Sequence, residues 1–138
     1  MPGFEAGSAG LSCVPYARAR SGIALRGDAW AWWDAAGAAG LPRGAAPRPG
    51  AVLVLDRSAR LRDGHLAVVA RVLGPREVRV DHANWDAAGG AGRGRVARDQ
   101  PVLDVSDRGD WSRVRVWHAP SGALGASEYA ARGFVGPP

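Results

Sequence analysis

The spacing of apolar positions changes character near residue 50. Upstream, apolar and small residues cluster in segments bounded by helix signals. Ser12 can cap a helix that begins at Cys13, tolerates Pro15 in its first turn and continues through Tyr16 and Ala17 towards Arg20. Gly22 ends it. Asp28 is a second candidate cap, ahead of Ala29, Trp30, Ala31, Trp32, Trp33, Ala35 and Ala36, with Gly37 as the break. Trp30 and Trp33 stand three apart and share a face of that helix. Residues 37–50 are mostly Gly, Pro, Ala and Arg and read as a loop.

Downstream, strand patterns take over. Ala51 to Leu55 and Gly64 to Val72 are short apolar runs, and Leu73 to Arg76 form a turn into the alternating segment Val78 to His82. The Gly- and Ala-rich stretch from Ala87 to Gly94 loops out, and strand-like runs resume near Val96 and at Val102 to Val105. Between Trp111 and Trp117, Val114 and Val116 alternate with Arg113 and Arg115, the pattern of a half-buried antiparallel strand. Beyond Pro120 the chain is Gly- and Ala-rich and reads as wrapping the surface. Helices followed by about five strands predict an α+β arrangement. The organisation expected is a flexible leader over 1–10, one domain over 11–120 and a C-terminal extension over 121–138.

Composition narrows the function classes. The chain has 138 residues, 46% hydrophobic and 22% charged, which fits one globular domain. All 18 basic residues are arginine, there is no lysine, and the formal net charge is +5. The arginines are scattered rather than run together, so nucleic-acid binding would rest on charge alone and is not expected. The single cysteine, Cys13, excludes an intrachain disulfide framework and a cysteine-built zinc site. No stretch approaches the roughly 18 apolar residues of a membrane span, and no signal-peptide pattern opens the chain.

Cys13 can be an inert buried thiol or a nucleophile. Its place in the first turn of a helix puts it beside unsatisfied N–H groups and the positive end of the helix dipole, which favour a thiolate. His65 follows Gly64 and opens an apolar strand, so helix and sheet can bring thiol and imidazole together for nucleophilic acyl transfer. A third group should orient the imidazole. Alternation puts Val78, Val80, His82 and Asn84 on one face and Asp81 on the other, unless a β-bulge intervenes. Asn84 is preferred because its side-chain oxygen accepts under any pH, whereas His82 must be neutral and in the correct tautomer. Tyr16, one turn after Cys13, can aim its hydroxyl near the oxyanion or serve as a core aromatic. Among six tryptophans, Trp85 and Trp32 are the candidates for a surface groove that contacts substrate, and Trp30, Trp33 and Trp117 the core candidates.

Four motifs occur in order: Ser12-Cys13-Val14-Pro15-Tyr16-Ala17, Pro47-Arg48-Pro49-Gly50, Gly64-His65-Leu66-Ala67-Val68-Val69, and Val80-Asp81-His82-Ala83-Asn84-Trp85. Together they resemble the CHAP family, the cysteine, histidine-dependent amidohydrolases/peptidases, in an alphaproteobacterial form. The resemblance spans about Leu11 to His118. It implies a papain-like (NlpC-type) α+β fold, with N-terminal helices packed on an antiparallel sheet of five to six strands. It further implies a peptidoglycan hydrolase needing no metal or cofactor, either an N-acetylmuramoyl-L-alanine amidase or a peptide endopeptidase. Cys13 would be the nucleophile and His65 the base, with peptidoglycan or muropeptides as partners in the periplasm or outside the cell. Many relatives carry Glu-x-Asn where this chain has His82-x-Asn84. A non-catalytic wall-binding module on the same fold and an NlpC-type endopeptidase are the alternatives.

Overall fold

The computed structural model describes residues 4–5, 12–85 and 93–137. In chain order the elements are β1 (Phe4–Glu5), α1 (Cys13–Ser21), a 3₁₀ turn (Ala29–Ala31), α2 (Trp32–Ala38), β2 (Arg43–Gly44), β3 (Val52–Leu55), β4 (His65–Gly74), β5 (Glu77–Ala83), β6 (Val96–Asp104), β7 (Arg113–His118), a second 3₁₀ turn (Ala119–Ser121), β8 (Ala123–Leu124) and β9 (Tyr129–Val135). Of the expected leader, only Phe4–Glu5 is described, as a short strand paired with Val96 and Ala97. Most of the expected loop from Ala87 to Gly94 lies outside the described residues.

The strands close on themselves. β6, β5, β4, β3, β9 and β7 are neighbours in that order, and β7 pairs back onto β6 through Val102–Val116, Leu103–Arg115 and Asp104–Val114, every pairing being antiparallel. The result is a six-stranded antiparallel β-barrel. This overturns the papain-like α+β expectation of helices packed on a sheet: the described residues are mostly β, with two short helices of nine and seven residues among them. The finding that overturns it is β9. The segment beyond Pro120, expected to wrap the surface, inserts between β3 and β7 and completes the ring. Closure satisfies backbone N–H and C=O groups that an open sheet would leave at its edges.

Alternation along the staves divides the apolar residues into two clusters. Leu53, Leu55, Ala67, Val69, Val78, Val80, Val102, Val114, Val116 and Phe134 fill the barrel interior with Trp85, Trp111 and Tyr129. Val52, Val54, Leu66 and Val68 face the other way and pack under Ala17, Ile23, Ala29, Trp32 and Ala36. The helices thus shield the outer face of β3 and β4 from water. Each such fully buried aliphatic side chain is worth about 1.5–3 kcal/mol.

The expected Asp28–Ala36 helix is split, a 3₁₀ turn handing over to α2 at Trp32. Because a 3₁₀ turn winds three residues per turn, the handover rotates the tryptophan face. Trp32 is fully buried, while Trp30 and Trp33 are only half-buried, the reverse of the sequence expectation. Trp85, the other surface candidate, is also buried.

Candidate active site

Cys13 opens α1, preceded by Ser12 in an extended conformation whose side chain makes no cap hydrogen bond. The thiol packs beside the helix-covered cluster and is half-buried. Burial pushes it above its ordinary value; backbone N–H groups of Leu66, Cys13 and Val14 act in the opposite sense without prevailing, and the Asp63 carboxylate adds a further upward push. The sulfur therefore rests as a thiol at neutral pH, despite its helix-start position.

Gly64 sets the entry of β4. Its φ of +71° lies in the left-handed region, and a Cβ there would meet Leu55 O at 2.6 Å and Trp30 N at 2.9 Å. Only glycine lets the chain pass this point and deliver His65 to the first position of the strand. His65 shares the inward face of β4 with Ala67 and Val69, and His82 shares that of β5 with Val78 and Val80. Because β4 and β5 are antiparallel, the start of one and the end of the other meet at the same barrel end.

There His65 Nε2 lies 2.8 Å from His82 Nδ1. The rings are 3% and 1% exposed. Trp85 covers both, its ring centroid 4.8 Å from that of His65 and 5.6 Å from that of His82, and it leans on Tyr129 at 5.2 Å. Burial drives His65 well below its ordinary value, with the neighbouring His82 adding to the effect. Burial also lowers His82, to about 4, opposed by the Asp81 carboxylate. Both rings are thus neutral near pH 7, and one hydrogen is shared across the 2.8 Å contact.

Asn84 stands just past β5 with φ at 60°, and its side-chain oxygen accepts a hydrogen bond from Gly94 N–H at 2.7 Å. It lines the same cleft as Cys13 and His65, but the oxygen expected to orient His65 is engaged on this turn. The ring that meets His65 is that of His82. Asp81 faces the opposite way, as alternation predicts: its carboxylate accepts from Arg20 Nε at 3.1 Å and from Asp99 N–H at 2.8 Å, fastening α1 to β5 and β6. Tyr16 packs with Ala83 and Val96 and does not line the cleft.

Cys13 and His65 open into one cleft of about 510 Å³, shared with Asn84 and bordered by Gly27 to Ala29 and by the loop Arg60 to Gly64. A second cavity of about 380 Å³ lies across Trp85, between Val116, Ser121 and Tyr129. Among the described residues, no three His, Cys, Asp or Glu side chains gather as a metal site. Sequence reading passed over the loop before Gly64. The signal was present: Leu61 is an apolar residue among Arg60, Arg62 and Asp63, and it is the one that anchors the loop in the barrel core.

The family model for the CHAP domain matches residues 3–84, the segment that holds Cys13, His65, His82 and Asn84. The chain belongs to the CHAP family. No curated protein and no solved structure matches it. Membership places this CHAP domain among amidohydrolases and peptidases of peptidoglycan. The match ends at residue 84, so β6 to β9, half of the barrel wall, lie beyond it. No helix among the described residues of the CHAP domain is long and apolar enough to cross a membrane.

Proposed function

We propose that this CHAP domain is a peptidoglycan hydrolase that cleaves an amide bond with Cys13 as nucleophile and His65 as base, acting outside the cytoplasmic membrane where its substrate lies. The observation that carries the reading is the pairing of one shared cleft for Cys13 and His65 with the 2.8 Å contact from His65 Nε2 to His82 Nδ1.

That contact supports one course for the proton chemistry. With Nε2–H donating to His82 Nδ1, the Nδ1 of His65 keeps its lone pair for the thiol. A neutral His82 is required for this, and burial holds it neutral down to about pH 4. As the sulfur attacks the carbonyl carbon, its proton passes to His65, and His82 accepts from the imidazolium that forms. The oxyanion meets the backbone N–H of Cys13, left without an intrahelical acceptor at the helix start. The proton on His65 then leaves with the amine, and water attacks the thioester by the reverse route. His82 takes the orienting role in place of Asn84, whose oxygen serves the Gly94 turn.

The test is digestion of purified peptidoglycan followed by mass spectrometry of the products. Free muramic ends report an amidase and cut stem peptides an endopeptidase. Cys13→Ala should abolish release while leaving the fold intact; undiminished release by that variant would overturn the mechanism.

A further inference from the structure

The rim of the cleft carries two guanidinium groups that are without a partner among the described residues. Arg60 and Arg62 both line the cleft that holds Cys13 and His65. Both are exposed, and among the described residues neither makes an ion pair or a hydrogen bond. Other arginines are committed: Arg20 to Asp81, Arg71 and Arg79 to Asp99, Arg113 to Glu128, Arg132 to Asp34, and Arg57 over the Trp30 ring at 3.9 Å.

Their display is built into the loop. Ser58 N–H donates to Leu61 O at 2.8 Å, Leu61 N–H to Ser58 Oγ at 3.2 Å, and Gly64 N–H to Leu61 O at 3.1 Å. These bonds form a compact turn. Leu61 is its anchor, buried in the barrel core, so the residues on either side of it are held outward over the cleft. A loop fixed at its centre presents its flanking charges with less entropy to lose on binding. Asp28 and Asp63 line the same cleft, and neither is ion-paired with the arginines. The cleft therefore keeps separate cationic and anionic groups open to a ligand bearing both charges.

We propose that Arg60 and Arg62 are specificity-determining residues that read a free carboxylate of the peptide portion of the substrate. The assignment rests on the reading of the cleft as the hydrolytic site. Guanidinium groups suit the task because they match the planar carboxylate with paired N–H donors, and an uncharged carboxamide gives up the charge-assisted part of that bond.

The experiment uses Cys13→Ala protein, which binds without turnover, and a soluble muropeptide in two forms, one with free carboxylates and one with those groups converted to carboxamides. Calorimetry should show the free acid binding about tenfold tighter or more, from charge-assisted hydrogen bonds, with that preference falling to about twofold or less when Arg60→Gln and Arg62→Gln are added. Equal affinities for the two forms, no binding of either, or a preference that survives both substitutions would overturn the proposal. Hydrolysis by the unsubstituted protein is scored separately. If neither form is cut while the arginine-dependent preference stands, the hydrolase reading falls and the carboxylate subsite remains.

Discussion

Acid should unfold this protein by way of its histidine pair. His82 is 1% exposed and held at about 4, whereas an unfolded chain restores the ordinary value of 6.5. Between those two values the unfolded chain takes up a proton that the folded barrel excludes, so stability falls as pH falls below about 6.5 and the His82 contribution is fully lost near pH 4. The complete shift is worth about 3 kcal/mol, and about 2 kcal/mol of it is lost by pH 5. His65 is displaced in the same direction and adds to the loss. A domain of ordinary stability has about 5–15 kcal/mol in all, so this is a large fraction. Guanidinium denaturation at pH 7.5 and pH 5 measures the difference. His82→Asn, which cannot titrate, should lower stability at pH 7.5 but shrink the difference between the two pH values by about 2 kcal/mol. Equal stability of the native sequence at both pH values would refute the reasoning, as would a difference that His82→Asn leaves unchanged.

Three further outcomes follow from the same geometry. Gly64→Ala should cost about 2–4 kcal/mol, combining a left-handed backbone with a Cβ forced onto backbone atoms, and should abolish activity along with it; native-like stability in denaturation curves would refute this. Alkylation of Cys13 by iodoacetamide should keep accelerating as pH rises through 9, because burial raises the thiol; a rate already level below pH 7 would reveal a preformed ion pair instead. Asp81→Asn weakens the tie from Arg20 to β5 and should destabilise the domain by about 1–2 kcal/mol in thermal or chemical melts, with an unchanged midpoint counting against that role.

Much of the candidate site could be read from the residues, and less of the fold. Ser12-Cys13 and Gly64-His65 carry local signals, a helix start and a left-handed turn into a strand, and the structure puts both in one cleft. The strands β3 to β7 alternate or run apolar because each buries at least one face. β9 hid because its sequence, Tyr-Ala-Ala-Arg-Gly-Phe-Val, interrupts alternation with Ala, Arg and Gly. Gly133 is there for close approach: a Cβ would strike Gly44 O at 2.7 Å and the Trp33 ring at 2.8 Å. The contact between His82 and His65 was equally closed to sequence reading. So was the turn at Asn84, which adopts φ of 60° and spends its oxygen on Gly94, ten residues away.

The position of β9 in the ring also fixes the order in which the protein can become competent. Cys13, His65 and His82 leave the ribosome well before Tyr129–Val135, yet β3, whose partner strand carries His65, has β9 as its other neighbour. Until that last stave arrives, β3 and the Arg113–Val114 end of β7 each lack a partner on one side and the histidine pair lacks a closed interior. Cys13, His65 and His82 are therefore made before the stave that completes the scaffold around them.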